Sequence, residues 1–139
     1  MRTLCGCLVA VALLGGCGES AEDKAQSSVC DARADIQKQV QELDGLTAAT
    51  VTVDAVRSNL RAIDTDLQQI KSARSDLAGD RKEQVDQAWQ TFSGEVKTIG
   101  QNLLTSLSAA DAKQQLAASL DGLAASFRTA FAPVDCANT

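Results

Sequence analysis

Histidine and tyrosine are absent from this 139-residue chain, proline occurs once, at Pro133, and aromatic residues make up only 3%. Without histidine the usual general base and the usual imidazole metal ligand are both missing, and a di-iron bundle built on Glu-x-x-His is excluded. With so few aromatics, a core must come from Leu, Ile, Val and Ala, the makeup of a helical bundle. Clustered cations are lacking too: the nearest approach is Arg81-Lys82, and 13 Lys and Arg stand against 18 Asp and Glu. That balance argues against nucleic acid and anionic lipid headgroups as partners, because both reward grouped Lys and Arg.

What is present supports one folded domain. Apolar residues reach 45% and charged ones 22%, ordinary for a globular protein, and the length suits one compact domain better than two. Ser and Thr are plentiful, yet no Lys, Cys or His stands in a context that activates a nucleophile. Asp64 and Asp66 point about 200 degrees apart on a helix, so they read as solvated partners of Arg57 and Arg61 rather than an acid/base pair. No catalytic residue, metal ligand or cofactor is expected, and the chain does not read as an enzyme.

The first sixteen residues read as an export signal, with Arg2 followed by a nearly unbroken apolar run from Leu4 to Leu14. At about a dozen residues the run is shorter than the roughly 20 of a permanent membrane helix. It ends in Leu14-Gly15-Gly16-Cys17, which resembles the lipobox of bacterial lipoproteins. The chemistry explains the pattern: a transferase alkylates the thiol, and a peptidase needs small residues beside the bond before Cys17. The layout as a whole is similar to small helical bacterial lipoproteins and secreted proteins of unknown function. That resemblance implies removal of residues 1–16, a lipid such as palmitate on Cys17, and an extracytoplasmic, membrane-anchored location. It brings no activity with it. The competing reading is an ordinary secretory signal with a chance cysteine.

Processing leaves Cys30 and Cys136 as the only pair, since Cys5 and Cys7 leave with the signal and Cys17 becomes a thioether. Outside the cytoplasm such a pair oxidises, which predicts a Cys30–Cys136 disulfide; two unrelated buried thiols are the alternative. Residues 18–28 are small and polar, the composition of a flexible tether, although a short helix from Ser20 is conceivable there.

From Val29 the apolar spacing becomes helical, and residues 29–139 are expected to form the bundle domain. The shortest helix is predicted from Val29 to Asp44, carrying Cys30 in its first turn, with Ser28 as cap and Gly45 as stop. A second runs from Val53 to about Leu77, capped by Thr52 and stapled by Val51 and Val56, and Gly79 ends it. The third opens with Asp80 and Glu83 in capping-box spacing, and its stripe is Val85, Trp89, Phe92, Val96, Ile99, Leu103 and Leu107. Ser108 and Asp111 mark the fourth, with Leu116, Leu120, Leu123, Phe127 and Phe131 before Pro133. One continuous helix over 80–131 is the competing picture. The cysteines arbitrate, because a disulfide needs Cα atoms within about 7 Å and an even number of alternating helices brings both chain ends to one pole. The expected fold is therefore all-α, an antiparallel up-down-up-down four-helix bundle with coiled-coil-like heptad packing.

Trp89, Phe92, Phe127 and Phe131 either fill the core or line an apolar pocket. Ala117, Ala118, Ala124 and Ala125 widen the apolar arc of the fourth helix, as a buried or a docking face would require. Gly94, Gly100 and Gly122 sit inside predicted helices, where tight crossings or bends would account for them. The leading functional expectation is a non-enzymatic interaction or structural module that contacts another envelope protein. The second is a carrier of a lipid or other apolar molecule in a cavity around Trp89 and Phe127. A sensor or inhibitor subunit is a third.

Overall fold

The computed structural model describes the backbone of residues 18–47, 49–106 and 110–137, and their side chains outside 103–116. The export signal, Cys17 and Ser108 lie outside the described residues, as do the side chains of Leu103, Leu107, Asp111 and Leu116. Among the described residues all regular structure is helical: α1 Ala21–Asp44, α2 Val53–Ala73, α3 Gly79–Ser106 and α4 Ala110–Phe131, with a 3-10 turn at Arg74–Asp76.

Helix α1 begins well before Val29, which corrects the tether expected at 18–28. Ser20 caps it: the Asp23 amide donates to Ser20 Oγ at 3.1 Å, and the Ser20 amide donates back to the Asp23 carboxylate at 3.3 Å. This reciprocal pair satisfies donors that a helix start leaves open. The segment also has an apolar anchor, because Ala25 is buried one turn before Val29. At 24 residues α1 is longer than α2 and α4, and Cys30 lies in its third turn rather than its first.

Between α1 and α2 the Gly45 amide donates to Gln41 O, and Thr47 and Thr50 form a compact turn that delivers buried Val51. Thr52 caps α2 by accepting from the Ala55 amide at 3.2 Å. Every stripe position of α2 from Val56 to Ala73 is buried. The helix stops at Ala73, short of the expected Leu77, and the tighter 3-10 turn leaves Leu77 extended and within the core. Gly79 opens α3 with φ +58°, a left-handed conformation that side chains with a Cβ rarely adopt. Asp80 and Glu83, expected as its capping box, form no hydrogen bond with each other among the described residues.

Each helix packs on the next in sequence, and α4 packs on α1. Helices α3 and α4 are separate, because Phe92 and Phe127 have ring centroids 5.2 Å apart. On one continuous helix they would lie about 50 Å apart at 1.5 Å per residue. The core is a single cluster drawn from all four helices, and among the described residues it contains no buried polar or charged side chain.

Candidate functional site

The four aromatic residues do not share one place. Phe92, Phe127 and Phe131 are buried at 0%, 5% and 1% exposure and meet as a cluster between α3 and α4. Phe92 approaches both partners edge-on, at 5.2 and 5.8 Å between centroids, the arrangement that aromatic quadrupoles favour. This cluster is core.

Trp89 lies on the α2–α3 seam and is half-buried. Its indole Nε1 donates to Leu67 O at 3.1 Å, the Arg74 guanidinium stands 4.6 Å from the ring centroid, and Lys71 Nζ stands at 5.7 Å. Arg74 is fixed from its other side by Asp86, whose Oδ1 is 2.8 Å from Nη1. That oxygen is buried and makes no well-aligned hydrogen bond, so its contact with Arg74 is ionic. The fully buried residue on this turn of α3 is Ala88, not Trp89. A shallow cleft of about 460 Å³ beside Trp89 is lined by Lys71, Gln90 and Lys97 among others. Phe127 does not line the cleft beside Trp89, and it lines a separate cleft between α1 and α4 that does not reach Trp89.

Helix α1 meets the tail after α4 at the α1–α4 seam. Cys30 and Cys136 form a disulfide with Cα atoms 5.6 Å apart. Two side chains of α1 clamp the same tail: Gln26 Nε2 donates to Asp135 O at 3.1 Å, and Arg33 Nη1 donates to Val134 O at 2.9 Å. Gln26 and Arg33 were not singled out by sequence, yet a signal exists, since Arg33 sits three residues after Cys30 and therefore on its face. Arg74 and Asp86 were missed as well. Asp86 stands one turn before Trp89, but nothing local tells that Arg74 crosses to it.

Two carboxylates are displaced from their ordinary range. Asp23 is held low, chiefly by the Ser20 hydroxyl and then the Ser20 amide, with Arg81 adding a smaller pull. Asp66 is pushed up by burial first and by neighbouring Asp35 second. Neither Asp64 nor Asp66 pairs with Arg57 or Arg61; the ion pairs among the described residues are Arg74–Asp86 and Arg81–Glu22, the latter at 3.6 Å. The expected surface pairs thus do not form.

In α4, Ala124 is buried and Ala117 half-buried, while Ala118 and Ala125 are exposed. A Cβ built on Gly94, Gly100 or Gly122 meets nothing within 4 Å, so none of the three marks a tight crossing. Among the described residues no group of three or more His, Cys, Asp or Glu is placed to hold a metal, and no helix is long and apolar enough to cross a membrane. No protein-family model, curated protein or solved structure matches the chain.

Proposed function

We propose that this chain is a lipoprotein of the bacterial envelope, anchored through Cys17, whose helical domain is a non-enzymatic interaction or structural module. The observation that carries the reading is the Cys30–Cys136 disulfide, a bond that persists in oxidising compartments and is rare where glutathione keeps thiols reduced. It agrees with the export signal and the Leu14-Gly15-Gly16-Cys17 motif. The non-enzymatic part rests on the chain's lack of histidine and of any activated nucleophile in its sequence.

We read the fold as an up-down-up-down bundle. Support comes from the short connections, from sequential helix packing with α4 returning to α1, and from contacts that gather at one end. There Arg81, near the start of α3, approaches Glu22 in the first turn of α1, while Gln26 reaches the tail after α4. The early start of α1 shortens the tether. Only Gly18, Glu19 and Ser20 separate Cys17 from the helix, so an acyl group on Cys17 holds α1 within about 14 Å of the membrane surface at full extension. The disulfide then stands about 14 Å further along α1, at 1.5 Å per residue.

Intact-mass analysis of protein extracted from its native membrane tests the address. Cleavage before Cys17, an acyl mass on that residue, and a gain of two hydrogens on reduction of Cys30–Cys136 are expected. A product that keeps residues 1–16, or one whose two remaining thiols are free, overturns it. Cross-linking in intact cells at native abundance tests the interaction role; a chain that captures no envelope protein under conditions that label its surface counts against it.

A further inference from the structure

We propose that the groove between α1 and α4 binds an anionic amphiphile, a medium-length acyl chain ending in a carboxylate or phosphate. Two connected clefts form this groove and share Arg33, Gln37 and Ala132. The smaller, about 260 Å³, is floored by Val40, Ala124, Phe127 and Phe131 and rimmed by Arg33, Gln41 and Arg128. The larger, about 590 Å³ and more open, runs over the Cys30–Cys136 bridge and the tail. Alone, the smaller cleft falls just below the roughly 300 to 1,000 Å³ of a small-molecule site, and its continuation supplies the remaining length.

Charge selects the ligand class. In a chain with excess acid, the smaller cleft has two guanidiniums against one carboxylate, Asp44. No carboxylate lies within 4.0 Å of either Arg33 or Arg128 among the described residues, as holds for Arg57 and Arg61, whereas Arg74 and Arg81 are both paired. Arg33 is half-buried, and the bond from its Nη1 to Val134 O fixes the guanidinium at the rim. Its other N–H donors meet no protein acceptor among the described residues, and a planar fork of this kind fits a carboxylate or phosphate. Asp135, the one acid of the larger cleft, is turned to its own tail, where Oδ1 accepts from the Ala137 amide at 3.0 Å. In the smaller cleft the acidic balance that argues against binding an anionic membrane surface is thus reversed, while the groove as a whole holds two Arg and two Asp. An apolar floor beneath a cationic rim complements an acyl chain with an anionic end, and polar Gln37 and Gln41 offer donors to the same headgroup. This site lies away from Trp89 and does not depend on the chain's role as an interaction module.

The test uses the full chain in phosphatidylcholine vesicles with a photoreactive diazirine decanoate, and a diazirine decylammonium as the cationic control. Cross-links are mapped by mass spectrometry and scaled to those near Trp89. Labelling concentrated at residues 33–44 and 124–132 by the anionic probe alone is expected. Arg128→Gln and Arg33→Gln should each lower it at least about tenfold, the scale of a charge-assisted hydrogen bond. Among the described residues Arg128 has no hydrogen bond or ion pair to lose, so its variant keeps the wild-type melting profile. Competition by decanoate against decyl phosphate identifies the headgroup. Labelling spread evenly along the chain, equal labelling by the cationic probe, or labelling unchanged in Arg128→Gln overturns the proposal.

Discussion

The α2–α3 seam and the α1–α4 seam solve the same packing problem under different constraints. A short connection around Gly79 joins α2 to α3, so their association closes almost no loop. The other seam unites segments 106 residues apart, and closing so long a loop is entropically costly. Both seams set their register by side-chain donors to backbone carbonyls: Trp89 to Leu67 O in one, Gln26 and Arg33 to the tail in the other. Only the long-range seam adds a covalent link. The disulfide stands in for the connectivity that α1 and α4 lack.

The largest effect is expected from Cys30→Ser with Cys136→Ser. Loop closure of about 100 residues predicts a loss near 4 to 5 kcal/mol, read as a lower guanidinium midpoint against the oxidised wild type. A loss under about 1 kcal/mol would mean that Gln26, Arg33 and core burial already hold the α1–α4 seam without the disulfide.

Next in size is the contrast between neighbouring aromatics. Phe92→Ala removes a fully buried ring from the three-phenylalanine cluster and should cost about 3 to 5 kcal/mol. Trp89→Phe keeps a ring on the α2–α3 seam and removes the indole hydrogen bond to Leu67 O, with an expected cost of about 1 kcal/mol. Equal losses in urea denaturation would show that Trp89 belongs to the core after all.

That contrast marks where the sequence stops being legible. The apolar stripes of all four helices could be read because three- and four-residue spacing fixes one buried face, and the described stripe positions are buried apart from Trp89. Trp89 and Phe92 are about 300 degrees apart around a helix, so one face accommodates both. Which of them turns toward α2 and which toward α4 depends on neighbours that no local pattern contains. The start of α1 was misplaced for a different reason: the Ser20–Asp23 cap is visible in sequence, but Ala25 looks too small to anchor a helix. Packed with Val29, Ala32 and Ile36 in one cluster, it suffices. The cysteine pair was legible from compartment and count alone. The Arg33 and Arg128 rim was not, because it joins residues from opposite ends of the chain.

Glycines separate the α2–α3 turn from the helix interiors at a smaller scale. Gly94 and Gly122 are exposed positions inside α3 and α4 with open space for a Cβ. Gly94→Ala and Gly122→Ala should therefore each raise stability by up to about 1 kcal/mol, measured as higher melting midpoints. Gly79→Ala should do the opposite despite equally open space, because φ +58° strains any residue with a Cβ. If all three substitutions shift stability in one direction, backbone conformation is not what distinguishes the α2–α3 turn from the helix interiors.

The smallest effects come from two aspartates whose displacements have opposite sign. Asp23 is held below its ordinary range by the Ser20 hydroxyl and amide, so the folded state binds its proton less readily than the unfolded state does. Its contribution is present above the unfolded value and is lost as pH falls through the folded one. Asp66 is pushed up by burial and by Asp35, so folding disfavours its charged form. Stability linked to Asp66 is depressed at neutral pH and regained as pH falls from the folded value toward the unfolded one. Asp66→Asn should therefore stabilise the protein at pH near 7 and lose that advantage below the ordinary carboxylate range, near about pH 2.5. Asp23→Asn should destabilise near neutrality, with a deficit that shrinks on acidification as the wild-type cap is protonated. Urea midpoints for both variants across this range decide the matter, and effects of the same sign near neutrality would mean that the α1 cap and the α1–α2 interface do not differ electrostatically in the way their contacts imply.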